Sequence, residues 1–222
     1  MDFGSFVLAA STADLADATE PAARTHADAV EFRMDRADTP LEALAAYDGD
    51  LPVIATNRVD WEGGDAPDGP ERIATLEQAA EYDAVAAVDI ELEALRKGGN
   101  LAIPSETAQI VSVHDFEGTP APSEQRALLT AALDRGDVGK LAVTATDPED
   151  VPGLLSVTRE FAKAGKAVAT MAMGEPGRHT RVITPIYGSR IGYAPVDPER
   201  ATAPGQYTLE TMATLIDHLS PR

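Results

Sequence analysis

The chain has 222 residues, no cysteine, and 37 Asp and Glu against 18 Lys and Arg, leaving a formal charge of −19. That length permits one larger domain or two small ones, and the lack of cysteine excludes a disulfide framework, a thiolate metal site and a thiol nucleophile. Duplex nucleic acid needs Lys and Arg to replace counterions at its phosphates, so the charge argues against it, and no apolar run approaches the ~18 residues that span a bilayer.

Eight short apolar runs of strand length recur along the chain, most of them apolar on both faces. The first covers residues 6–10, with a helix expected over 12–28; the second covers 29–34, with a helix over 39–47. The third, 53–56, precedes a helix over 70–82, and the fourth covers 85–92. The fifth, 109–114, leads to a helix over 123–135, and the sixth, 139–145, to one over 148–164. The seventh, 167–173, and the eighth, 190–194, are followed at the end by a helix over 209–219. The connections after the fourth and seventh strands show no clear pattern. Runs of this kind suit parallel strands covered by helices, and 39 alanines let those helices pack closely. Eight such units predict a (β/α)8 TIM barrel formed by residues 1–222 as a single domain. An open doubly wound sheet is the main alternative, but no Gly-x-Gly-x-x-Gly follows the first strand and no phosphate loop is present. The start of the chain has neither the basic residues nor the long apolar stretch of a signal peptide, so a cytoplasmic protein is expected.

A barrel of this kind places its active site at the C-terminal mouth of the strands, which directs attention to polar residues near strand ends. Period-two alternation sends Glu31, Arg33 and Asp35 to one face, the interior if Phe32 and Met34 face helices. Glu31 and Arg33 could equally form a buried ion pair. The third strand ends at Asn57-Arg58, and Glu62-Gly63-Gly64 forms a turn able to hold a carboxylate over the mouth. Asp89-Ile90-Glu91 on the fourth strand suits the satisfaction of nearby arginines. His114, at the end of the fifth strand, reads as a structural hydrogen-bonding residue or as a general acid or base oriented by Glu62. Metal binding is disfavoured because His26, His179 and His218 show no ligand spacing with it.

Lys140 is one of four lysines and stands in an apolar strand. Burial and nearby cations favour a neutral amine that attacks a ketone or aldehyde, whereas a surface lysine at a strand start is the plain reading. Its early place in the strand requires the long stem to reach up through the barrel. After the seventh strand a Gly-rich turn leads to Arg181, a planar fork suited to a carboxylate or a solvated arginine on a loop. Residues 203–206, Ala-Pro-Gly-Gln, form a short hinge-capable loop after the eighth strand.

Taken in order, Glu31-Phe32-Arg33-Met34-Asp35, Arg58 with Glu62-Gly63-Gly64, Ser112-Val113-His114-Asp115-Phe116, Lys140, Met173 to Arg181, and Ala203-Pro204-Gly205-Gln206 resemble type I 3-dehydroquinate dehydratase. The resemblance runs from the first strand to the last helix. It implies dehydration of 3-dehydroquinate to 3-dehydroshikimate in the shikimate pathway, without metal or organic cofactor. Lys140 would form an imine with the C3 ketone. His114 would remove the C2 proton and protonate the departing hydroxyl, with Glu62 holding its ring. Arg181 would bind the substrate carboxylate, Glu31, Arg33 and Arg58 would address ring hydroxyls, and Gln206 would close over the site. The resemblance also implies a homodimer. Three departures stand out: Thr202 replaces a family serine, Ser11 is the nearest match to a serine expected at the end of the first strand, and an N-terminal hairpin is expected to be absent. The rival activities are another Schiff-base lyase or aldolase on the same barrel, or a metabolite-binding barrel without turnover. The dispersed acidity, with 14 Arg against 4 Lys, resembles proteins of salt-loving microbes, where molar salt shortens the screening length to ~3 Å.

Overall fold

The apolar strand runs bury both of their faces in a nearly closed barrel. A computed structural model describes residues 1–196 and 206–219. Its strands are β1 (Val7–Thr12), β2 (Ala29–Arg33), β3 (Val53–Thr56), β4 (Val85–Glu91), β5 (Ala108–His114), β6 (Val138–Thr144), β7 (Val168–Met173) and β8 (Ile191–Pro195). They pair in parallel in the order β7-β6-β5-β4-β3-β2-β1-β8. Pairing of Val7 with Ile191 brings the last strand beside the first, which an open doubly wound sheet does not do. Between β7 and β8 the seam is a single bridge, Val168 to Ser189, supported by Arg190 N–H donating to the Val168 carbonyl at 2.7 Å. The barrel is therefore nearly closed, its last seam joined at the bottom.

The helices are α1 (Pro21–His26), α2 (Pro40–Ala46), α3 (Pro70–Ala79), α4 (Leu92–Gly98), α5 (Pro122–Leu133), α6 (Val151–Lys163), α7 (Thr180–Tyr187) and α8 (Leu209–Leu219). Proline opens four of them, where the missing N–H costs no hydrogen bond and φ is already helical. Pro21 also corrects the expected helix over 12–28. It holds Glu20 extended, so the segment divides into a 3-10 turn at Leu15–Thr19, capped by Asp14, and the short α1. The two unpatterned connections are α4, which starts directly where β4 ends, and α7, which carries Pro185 inside it. Among the described residues no helix is long and apolar enough to cross a membrane.

The pleat divides the core in two. Outward-facing Val30, Phe32, Val88 and Ile90 pack with Leu44 and Leu76 beneath the helices. Inward-facing Val7, Ile54, Ile110, Val138 and Ile191 fill the lower barrel, and Phe3 joins them from the segment before β1. This apolar floor lies below the polar residues near the strand ends.

Candidate active site

Above the floor the inward positions become polar, and they bond across the barrel. Ser11, the penultimate residue of β1, donates to Glu31 Oε2 at 2.6 Å. Lys140 Nζ on β6 lies 2.8 Å from Asp89 Oδ2 on β4 and 4.0 Å from Glu31 Oε1 on β2. The lysine is buried, 4% exposed, and its stem does reach upward to the cavity. Its backbone surroundings are apolar, as read from the sequence, but its ammonium meets two carboxylates.

Arg58, the second residue beyond β3, donates to Asp89 Oδ1 at 2.6 Å, to Ser112 Oγ at 2.7 Å and to Glu91 Oε1 at 3.0 Å. Arg72 from α3 meets Glu91 at 2.9 Å from the other side. Burial pulls the Asp89 carboxyl upward, but Arg58 and Lys140 overcome it and hold the group well below the usual carboxylate range. Burial likewise opposes the Arg58 charge, and Asp89, Glu91 and Glu62 more than restore it. Each buried ion here is matched by opposite charge, and removing one partner of such a pair costs about 3–5 kcal/mol. An ion pair of Arg33 with Glu31, the alternative open from the sequence, is not the main one: Arg33 pairs with Asp35. The strand ends at Arg33, and a 3-10 turn at Met34–Arg36 brings Asp35 back to grip the guanidinium at 2.9 and 2.6 Å.

His114 Nδ1 lies 2.8 Å from Glu62 Oε2. Two glycines hold that carboxylate over the mouth. Gly63 adopts φ 77°, and a Cβ at Gly64 would fall 2.0 Å from the Arg58 carbonyl oxygen, so neither position accepts a side chain without rearrangement. Burial pushes the Glu62 carboxyl up to about 8, with Arg58 opposing and Glu91 and Asp89 adding to the rise. Burial, then the charges of Arg58 and Lys140, hold His114 well below its ordinary 6.5. A neutral imidazole beside a carboxyl group can donate from Nδ1 and leave Nε2 as an acceptor, the arrangement a general base needs.

Arg181 stands on the first turn of α7 rather than on a solvated loop, and is 4% exposed. Burial and the like charge of Arg178 lower its pKa to about 10. That environment favours an anionic ligand. Gln206 lines the same cavity as Glu31, Arg33, Arg58, Glu62, His114, Lys140 and Arg181. Thr202 lies outside the described residues. No group of three or more potential metal ligands occurs among the described residues.

Sequence reasoning missed what Asp89, Tyr193 and Met171 contribute to the site. The sequence marks Asp89 as a partner for arginine, which it is, and it also grips Lys140; the signal is a charge at an inward position of a barrel strand. Tyr193 of β8 lies with its ring centroid 4.2 Å from Lys140 Nζ, and its aromatic character reads as ordinary core. Met171 and Met173 of β7 line the cavity wall, with Met171 Sδ 3.9 Å from Arg181 Nη1.

Comparison with known proteins finds relatives along the whole chain. A family model described as type I 3-dehydroquinase matches residues 5–220. A 3-dehydroquinate dehydratase from Haloarcula marismortui is 52% identical, covering 99% of this chain and 98% of its own. One from Halobacterium salinarum is 53% identical, covering 99% of this chain and 100% of its own. The crystal structure of 3-dehydroquinate dehydratase from Geobacillus kaustophilus superposes with a TM-score of 0.79 at 25% identity, covering 97% of this chain and 91% of that one. The chain belongs to the type I 3-dehydroquinase family.

Proposed function

We propose that this chain is a 3-dehydroquinate dehydratase, a hydro-lyase of the shikimate pathway, with residues 1–222 forming one barrel catalytic domain. The observation that carries the reading is one cavity lined by a buried lysine, a histidine in contact with a carboxyl group, and a buried arginine. Lys140 Nζ, once deprotonated, attacks the C3 ketone of 3-dehydroquinate and forms a C–N bond. The carbonyl oxygen takes one proton from that nitrogen and one from a general acid, and leaves as water. The product is a protonated imine, an electron sink that makes the C2 hydrogen acidic. His114 Nε2 takes that proton, and the C–H pair becomes the C2–C3 double bond of an enamine. As the pair returns, the C1–oxygen bond breaks, His114 delivers its proton to the departing hydroxyl, and a C1–C2 double bond forms. Water then hydrolyses the imine and frees Lys140.

Around this core, Asp89 holds Lys140 and Glu62 holds the His114 ring. Arg181 takes the substrate carboxylate, while Glu31, Arg33 and Arg58 address ring hydroxyls. Gln206 closes over the substrate, and the family resemblance gives the Thr202 hydroxyl a part in substrate binding. The family resemblance extends the reading to a cytoplasmic homodimer, which light scattering after size-exclusion chromatography checks. Adding 3-dehydroquinate to the purified protein should raise the ultraviolet absorbance of the conjugated enoate product. No absorbance change in molar KCl, with the fold intact, would remove the assignment.

A further inference from the structure

We propose that Tyr193 is a positioning residue for the Schiff-base nitrogen, its ring face holding the positive charge of the protonated imine where the carboxylates release it. The inference rests on the Schiff-base role of Lys140. The ring centroid is 4.2 Å from Lys140 Nζ, inside the ~6 Å over which an aromatic face attracts a cation. Tyr193 is 4% exposed and packs with Ala9, Ile54, Ile110 and Met171, so little water screens the contact. Its phenol oxygen has no hydrogen-bond partner among the described residues, which leaves packing, rather than a hydrogen bond, to set the ring.

The free ammonium has three N–H donors and two carboxylates around it, Asp89 at 2.8 Å and Glu31 at 4.0 Å. The imine nitrogen is different. It is bonded to Cε and to the substrate carbon and keeps a single N–H, which serves one acceptor at a time. The substrate ring also occupies part of the space around it. An aromatic face attracts the charge without needing an N–H, so the contribution of Tyr193 survives condensation while that of the carboxylates diminishes. The ring therefore favours the charged imine over the neutral enamine and amine, and fixes the nitrogen laterally while His114 acts on C2.

The test replaces Tyr193 by Phe as the reference, then by 4-fluoro-, 3,5-difluoro- and 3,4,5-trifluorophenylalanine. Fluorine withdraws electron density from the ring face with little change in size. Borohydride trapping on Lys140 in the presence of 3-dehydroquinate, kcat and KM are measured for each. The proposal predicts a stepwise fall in trapped adduct and in kcat, about tenfold over the series, with the melting temperature level. Tyr193→Leu, which removes the face, should fall at least as far; if that variant does not fold, the fluorinated series decides. Normal trapping with kcat flat across the series overturns the role of the ring alone. Absence of any adduct on Lys140 in the parent protein overturns the Schiff-base reading and this proposal with it.

Discussion

Replacing Glu62 by glutamine should make the protein more stable and less active, and the stability gain should depend on pH. The Glu62 carboxyl is raised from an ordinary 4.5 to about 8, chiefly by burial. Between those values the unfolded chain ionises the group while the folded protein keeps its proton. The folded state then binds more protons, so stability falls as pH rises through this window. At about 1.4 kcal/mol per pH unit from 4.5 to 7, the parent loses about 3 kcal/mol at pH 7. Glutamine is neutral throughout and still reaches Nδ1 of His114. Glu62→Gln should therefore raise the melting temperature by roughly 6–12 °C at pH 7, and by nothing at pH 4, where the carboxyl is protonated in both states. Catalysis should suffer because an ionised Glu62 accepts Nδ1–H and leaves Nε2 basic. The parent's kcat/KM should rise toward pH 8 as Glu62 ionises, that rise should be missing from the variant, and turnover should fall by about 10²-fold. Calorimetry in molar KCl from pH 4 to 8, with steady-state kinetics alongside, measures both. An equal stability gain at pH 4 and pH 8, or a loss at pH 7, would refute the reasoning.

His114→Ala should slow turnover by about 10²-fold or more while still allowing slow attachment of substrate to Lys140, read by borohydride trapping and mass spectrometry. Near-normal turnover would remove His114 from the mechanism. Gln206→Ala should weaken substrate binding and lower turnover yet leave the trapped adduct detectable; kinetics matching the parent would make that segment a turn leading into α8 and nothing more. Melting temperature should climb with KCl, because a net charge of −19 repels itself most where the screening length reaches ~30 Å, at about 0.01 M salt. A melting temperature indifferent to KCl would refute the salt-adapted reading of the acidic surface.

The strands are legible because burial on both faces imposes an unbroken apolar run, as in residues 7–10 and 85–88. Helices are legible where a proline opens them and an apolar stripe follows, as in α3 and α5. The pattern fails at residues 12–28, where Pro21 interrupts continuous composition, and at α7, where Pro185 and β-branched residues disguise a helix. Within the site, alternation along β2 places Glu31 and Arg33 inside the barrel, and the end of β5 presents His114 at the mouth. What alternation does not carry is the partner across the barrel. The Asp89 contact with Lys140 joins residues 51 positions apart, and nothing local to either strand encodes it. The return of Asp35 onto Arg33 depends on a 3-10 turn that a strand pattern continues straight through.

The central claim is that Lys140 carries the substrate as an imine. The protein is incubated with 3-dehydroquinate and sodium borohydride, digested, and analysed by mass spectrometry. A reduced adduct on the peptide containing Lys140, with loss of activity in proportion to labelling, is the predicted result. An adduct on Lys97, Lys163 or Lys166, or none at all while product still forms, would contradict it.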